Sequence, residues 1–203
     1  QIKLWLENAA HRFNRIDPTS TADQWLINDS KTGVQPGSAF PGYNYDVFTS
    51  PDIGYEIDVT QPTYNVNNPG QGGDLTYQGQ PMDPAQEFIV ATNNYRANSS
   101  ARYILGTGQS FDIIWAAPDA NREVVLNYVK AKQHITRAAN GATSSWRFAR
   151  VATAGKVLFK SGKDELGVAQ AAGLANVSVD RADDTGVNNG TGTYTVYRID
   201  LGQ

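Results

Sequence analysis

The sequence predicts an α+β domain, and three observations carry that prediction. Stretches with helical spacing of apolar residues and stretches with strict alternation both occur along the 203 residues. They are interspersed without the regular strand–helix–strand rhythm that a parallel sheet demands. No internal repeat or low-complexity block divides the chain, and its length suits one domain with a substantial core.

The elements follow in order. Ile2, Leu6, Ala9, Phe13 and Ile16 recur every three or four residues, with Lys3, Glu7, Asn8 and Arg12 on the other face. This predicts an amphipathic helix that runs until Asp17-Pro18 stops it. Residues 17–42 are punctuated by Pro18, Gly33, Pro36, Gly37 and Pro41 and read as loop. Tyr43, Tyr45 and Val47, then Tyr55, Ile57 and Val59, alternate with polar neighbours around a turn at Ser50–Gly54, which predicts a hairpin over 43–59. An exposed loop over 61–73 should lead to a strand pair, Leu75–Tyr77 with Phe88–Thr92, joined through Gly79, Pro81 and Pro84. The continuous apolar run Phe111–Ala116 predicts a buried strand. Pro118-Asp119 opens a helix with Val124, Val125, Tyr128, Val129 and Ile135 as its apolar stripe. Trp146–Arg150 and Lys156–Phe159 read as strands, Asp164–Ala172 as a short helix, and Thr193–Leu201 as a closing strand.

Composition excludes several functions. A formal net charge of −3 provides no basic field for a nucleic-acid polymer. No apolar run approaches the roughly 20 residues that span a bilayer. The absence of cysteine removes disulfides, thiol catalysis and zinc ribbons. His11 and His134 are the two histidines, and neither stands in a D-x-H, H-x-H or H-E-x-x-H setting. There is no G-x-S-x-G elbow for nucleophilic catalysis. Asp58 and the Asp183-Asp184 pair read as solvated or turn-capping carboxylates. The glycines of 69–73 (PGQGG) and 106–108 (GTG) read as turn residues, since neither lies in a G-x-x-x-x-G-K-[ST] pattern. The sequons at Asn28, Asn98, Asn176 and Asn189 are chance products of an Asn-, Ser- and Thr-rich chain.

The most informative local feature is ATNNYRANSS, residues 91–100. The apolar FIVAT run leads directly into Asn93, Asn94, Tyr95 and Arg96, placing a ring and a guanidinium among amides at a strand's end. Such a group suits a planar, hydrogen-bonding ligand, because stacking on an aromatic ring is worth about 1–3 kcal/mol per base. Simple edge packing of Tyr95 is the other reading of the same residues.

Five segments together resemble one family. They are YNYDVFTSPDIGYEIDVTQP (43–62), LTYQGQPMDPAQEFIVATNNYRA (75–97), APDANREVV (117–125), SSWRF (144–148) and YRIDL (197–201). The likeness is to the C-terminal domain of 2',3'-cyclic-nucleotide 2'-phosphodiesterase/3'-nucleotidases, within the wider 5'-nucleotidase family. It implies an α/β/β/α layered domain with mixed sheets over residues 1–203, lacking its N-terminal segment. It also implies a parent enzyme whose separate metallophosphoesterase domain, absent from this chain, holds two divalent metals. The resemblance gives this chain no cofactor and no catalytic residue of its own, only recognition of the nucleoside.

Within the family the base lies between two rings, and Asn94-Tyr95 matches the pair that supplies one of them. The resemblance therefore makes Tyr95 one face of a base clamp, with Asn93, Asn94 and Arg96 beside it. A further contact loop maps onto Gly37-Ser38-Ala39-Phe40, which brings in Ser38 and Phe40. The small-residue turn that follows the ring is Asn98-Ser99-Ser100-Ala101 here, where the family usually has glycines. Trp5-Leu6-Glu7 matches the helix that follows the second ring, so that ring is expected before Gln1. The expected partners are 3'-nucleotides or 2',3'-cyclic nucleotides and the catalytic domain in cis, with neither membrane nor nucleic-acid polymer. The expected location is periplasmic or secreted. A secreted, non-catalytic module that binds carbohydrate or a protein surface is the competing expectation, supported by polar Asn/Gly-rich loops and exposed aromatics.

Overall fold

The computed structural model describes residues 1–10, 13–27, 48–62, 75–97, 112–141, 143–163, 165–183 and 194–203. Two mixed four-stranded sheets and helices interspersed between them form the fold, as an α+β domain requires. The first sheet has the order β1 (Gln24–Trp25), β6 (Val157–Gly162), β8 (Tyr194–Ile199), β7 (Val177–Asp183). Its β1–β6 pairing is parallel and the other two are antiparallel. The second has the order β4 (Gln80–Pro81), β3 (Thr76–Tyr77), β2 (Ile53–Ile57), β5 (Trp146–Phe148), with β2 and β5 parallel. Glu56 and Arg147 face each other in that parallel pair, and the Arg147 Nε–H donates to Glu56 Oε1 at 2.7 Å.

Both sheets close on one core. Tyr55 and Ile57 of β2, Val157 of β6, and Val59 and Leu201 meet Leu6 and Ala10 from α1 (Ile2–Ala10). The helix thus buries the apolar face that its spacing predicts, but it is shorter than expected. Phe13 forms an antiparallel bridge with Ile27, and the Ile16 N–H donates to the Val59 carbonyl at 2.8 Å. Backbone bonds to other segments replace helical ones there, so Phe13 and Ile16 enter the core from an extended chain. Glu7 is 4% exposed rather than solvated on a polar face, with Lys3 Nζ 4.0 Å from its carboxylate.

Four further expectations are corrected. Tyr77 pairs with Gln80, not with Phe88–Thr92. Gln78 and Gly79 both have positive φ (51° and 74°), which suits a two-residue hairpin turn that returns the chain at once. With that partner in place, residues 86–93 have no regular structure, and Phe88 instead sets its ring edge-on to Tyr77 at 5.1 Å. Residues 112–117 form no strand either, and Trp115 is 77% exposed. A run apolar on both sides needs a sheet covered on both faces, and both sheets take their strands elsewhere. The helix after Pro118 does form, as α2 (Asn121–Lys132), but its stripe of Val124, Val125, Tyr128 and Val129 is exposed. Asp183 ends strand β7 rather than sitting in a loop.

Strands β5, β6 and β8 and the short helix after β6 lie where the sequence predicts them, whereas the helix at Arg137–Asn140 and the strand β7 do not follow from it. A one-turn helix α3 (Arg137–Asn140) precedes β5, and α4 (Leu166–Ala171) follows β6. Tyr197 holds α4 in place: its hydroxyl donates to the Gly162 carbonyl at 2.8 Å and accepts the Glu165 N–H at 2.9 Å. The Tyr197 ring stacks on Phe159 with centroids 5.6 Å apart. Residues Tyr43, Tyr45 and Val47, the glycines of 69–73 and 106–108, His11, Asp184 and Phe111 lie outside the described residues.

Asp58 does cap a turn, as read from sequence. Its Oδ1 accepts the Thr60 N–H at 2.9 Å and the Thr60 hydroxyl at 2.7 Å, while Oδ2 accepts the Gln61 amide at 3.0 Å. Partial burial works against ionisation, but these donors outweigh it and hold the carboxyl below its ordinary range. A carboxyl with a lowered folded pKa adds stability above its unfolded pKa, and that stability is lost as pH falls through the folded value. The gap in urea midpoint between wild type and Asp58→Asn should therefore narrow as pH drops from about 5 to about 3. A gap that stays constant over that range would contradict the role given to this turn.

Candidate functional site

The residues singled out in sequence stand on a short helical turn rather than at the end of a paired strand. Residues 86–93 approach it without regular structure, with Ile89 and Val90 exposed. Asn93 opens the turn: its side-chain Oδ1 accepts the Arg96 N–H at 2.8 Å, and its carbonyl accepts the Ala97 N–H at 3.0 Å. Asparagine suits this position because its side chain satisfies a backbone donor that a helical turn leaves open. Asn93 thus sets the turn through its side-chain oxygen.

The turn sets two side chains together. Arg96 holds its guanidinium 5.7 Å from the centre of the Tyr95 ring, within cation–π range. Tyr95 is 66% exposed, so the ring is accessible although Arg96 helps to orient it. Asn94, between the cap and the ring, is also exposed. A flat ring, a cation and two amides along four consecutive residues can stack a planar group and hydrogen-bond its edge or an attached anion. Ser38 and Phe40 lie outside the described residues, so the structure does not place them relative to this turn.

The perturbed carboxylates belong to other parts of the molecule. Asp17 and Asp58 cap their own D-x-T turns. The Lys156 ammonium at 2.6 Å, with help from Arg181, holds the Asp180 carboxyl below its ordinary range. Among the described residues no group of three or more His, Cys, Asp or Glu is arranged to hold a metal ion. Among the described residues the donor set therefore does not fit a divalent pair. His134 is exposed just past α2. No helix among the described residues is long and apolar enough to cross a membrane.

An ion-paired sheet face around Trp25 is the feature that sequence reasoning missed. Its signal was present as the alternation of Val177, Ser178 and Val179, but a β-bulge between Val179 and Arg181 breaks the period.

With this geometry in view, the chain belongs to the 5'-nucleotidase, C-terminal domain family, whose sequence profile matches residues 1–106. That span includes α1 and the Tyr95 turn. Among curated proteins, a 2',3'-cyclic-nucleotide 2'-phosphodiesterase/3'-nucleotidase of Haemophilus influenzae is 34% identical over 99% of this chain and 29% of its own length. A protein of the same description from Yersinia enterocolitica is 39% identical over 73% of this chain and 22% of its own length. A trifunctional nucleotide phosphoesterase protein of Bacillus subtilis is 32% identical over 96% of this chain, which spans 12% of it. The chain thus spans less than a third of each of these relatives. No solved structure matches it.

Proposed function

We propose that this domain binds the nucleoside part of a nucleotide on behalf of a phosphoester hydrolase. The hydrolase would act on 2',3'-cyclic nucleotides and 3'-nucleotides. The observation that carries this reading is the exposed Tyr95 ring, set by the Asn93 cap and the Arg96 guanidinium. Tyr95 would stack on the base, Asn94 and the Asn93 amide would meet its edge, and Arg96 would meet a phosphate or ribose oxygen. Hydrolysis itself would belong to another part of a longer polypeptide, carrying two divalent metals. The names of the relatives support a nucleotide as the substrate class. A periplasmic or secreted location completes the proposal, on the resemblance alone.

Calorimetric titration with adenosine and 3'-AMP tests the reading. Tyr95→Ala is expected to weaken nucleoside binding by about 10- to 100-fold, equivalent to about 1–3 kcal/mol of stacking. Tyr95→Phe, which keeps the ring, should bind close to wild type. Undiminished affinity in Tyr95→Ala would remove the ring from the site.

A further inference from the structure

Asn140-Gly141 is the one Asn-Gly pair among the described residues. Asn140 ends the one-turn helix α3, and Gly141 follows it in an exposed bend. An asparagine in this setting has a reaction of its own, in which the next backbone nitrogen attacks the side-chain carbonyl carbon and closes a five-membered ring. Glycine favours the attack because no Cβ obstructs it and the backbone reaches conformations that other residues avoid. A helical hydrogen bond on that nitrogen would oppose it. Among the described residues the Gly141 N–H donates no hydrogen bond. A helix of four residues also resists little, since a single turn fixes several dihedral angles for few bonds.

The Asn140 side chain is nonetheless held. Its Nδ2–H donates to the Tyr128 hydroxyl of α2 at 2.9 Å, and its Oδ1 accepts the Thr136 N–H at 3.2 Å. The first bond ties the side chain to the neighbouring helix and limits the rotation that brings Cγ to the Gly141 nitrogen. Tyr128 is itself exposed, with Lys132 Nζ 5.7 Å from its ring centre. The reactive pair is thus open to water on its glycine side and restrained by one tyrosine on its asparagine side.

We propose that Asn140 is a site of spontaneous deamidation, with the Tyr128 hydroxyl as the restraint that sets its rate. The Gly141 nitrogen gives up its proton and attacks Asn140 Cγ. The new C–N bond replaces the bond from Cγ to Nδ2, which leaves as ammonia with that proton. Water then opens the cyclic imide at either of its carbonyl carbons, giving aspartate by one route and isoaspartate by the other. Both products put a carboxylate where Nδ2–H donated to Tyr128, at a helix C-terminus that disfavours negative charge. Isoaspartate also adds a methylene group to the main chain between α3 and β5, whose Trp146 and Phe148 pack on the core. The modification is therefore a slow, one-way loosening of the contact between α2 and α3. This inference does not depend on the nucleoside reading of Tyr95.

The test incubates the 203-residue chain at mildly alkaline pH, folded and in concentrated urea, and follows each asparagine by peptide mapping with mass spectrometry. The peptide carrying Asn140 should gain the mass of an amide-to-acid exchange and separate into aspartate and isoaspartate forms. Conversion should be slower in the folded chain than in urea. Tyr128→Phe keeps the ring and removes the acceptor, so folded-state conversion should rise about two- to tenfold, the effect of losing one hydrogen bond. Its rate in urea should equal that of wild type, which separates the loss of the restraint from any change in the chemistry. Gly141→Ala should suppress conversion in both conditions. An Asn140 that stays an amide in the folded chain overturns the proposal. Folded-state conversion in Tyr128→Phe no faster than in wild type overturns it too, and so does conversion that Gly141→Ala leaves unchanged.

Discussion

Phe13→Ala is expected to cost about 3–5 kcal/mol of stability, the range for removing a fully packed aromatic side chain. Phe13 is buried, with its ring edge-on to Phe148 at 5.0 Å and tilted against Trp146 at 6.3 Å. Those two rings belong to β5, whereas the Phe13 backbone bridges to Ile27, just past β1. The side chain therefore ties the N-terminal segment to the second sheet while its backbone faces the first. Truncation would leave a cavity at that junction, which close-packed neighbours fill only partly. Urea denaturation with a common slope measures the loss. Phe13→Leu should recover most of it, because it keeps most of the volume. A loss below about 1 kcal/mol for the alanine variant would mean that this junction is already loose.

Gly155→Ala should destabilise by about 3 kcal/mol through a different cause, the approach of two backbones. A methyl group at Gly155 would run into the Ala22 carbonyl oxygen, and it would sit 2.7 Å from the Ser20 carbonyl oxygen and 2.9 Å from the Thr21 carbonyl carbon. None of these atoms is the end of a flexible side chain. Both loops are also pinned, since the Ala154 N–H donates to the Pro18 carbonyl and the Gln24 N–H to the Lys156 carbonyl, each at 2.9 Å. The clash can be relieved only by parting β1 from β6. A fall in melting temperature of about 6–12 °C is expected for a chain of this size. Gly167→Ala, on α4 with nothing within 4 Å, is the matched control and should leave stability unchanged or slightly raised. Equal melting temperatures for the two variants would contradict the close approach at Gly155.

Much of this fold was legible in the sequence, and the misses share a physical cause. Thr193–Leu201 alternates cleanly and contains β8; Trp146–Arg150 likewise contains β5, and Lys156–Phe159 covers the first half of β6. Periodicity reports which residues are apolar together, not what lies opposite them. Val124, Val125, Tyr128 and Val129 therefore give a correct helix with an exposed stripe. Phe13 and Ile16 continue a helical spacing by coincidence, because the core collects them from an extended chain. The strand β1 is two residues long, too short to show any period.

The candidate site was legible for a different reason. Asn93, Asn94, Tyr95 and Arg96 are consecutive, so one local turn can bring them together whatever the rest of the chain does. The face around Trp25 draws on residues from 23 to 198 and depends on register across three strand pairings. A bulge in β7 decides that Asp180 and Arg181 reach it, and no spacing rule reveals that from sequence.

The long-range pairings also determine when this chain can fold. Gln24 pairs in parallel with Val157, and Tyr55 with Trp146, so neither sheet has its full set of strands until the C-terminal half exists. Leu201, two residues from the last, is buried in the same core as Leu6. Such topology closes large loops before its contacts repay the entropy, which slows folding. During synthesis the apolar face of α1 is only partly covered until Val157 and Leu201 have been made. For that interval the nascent domain depends on chaperones, or on the rest of its polypeptide, to avoid aggregation.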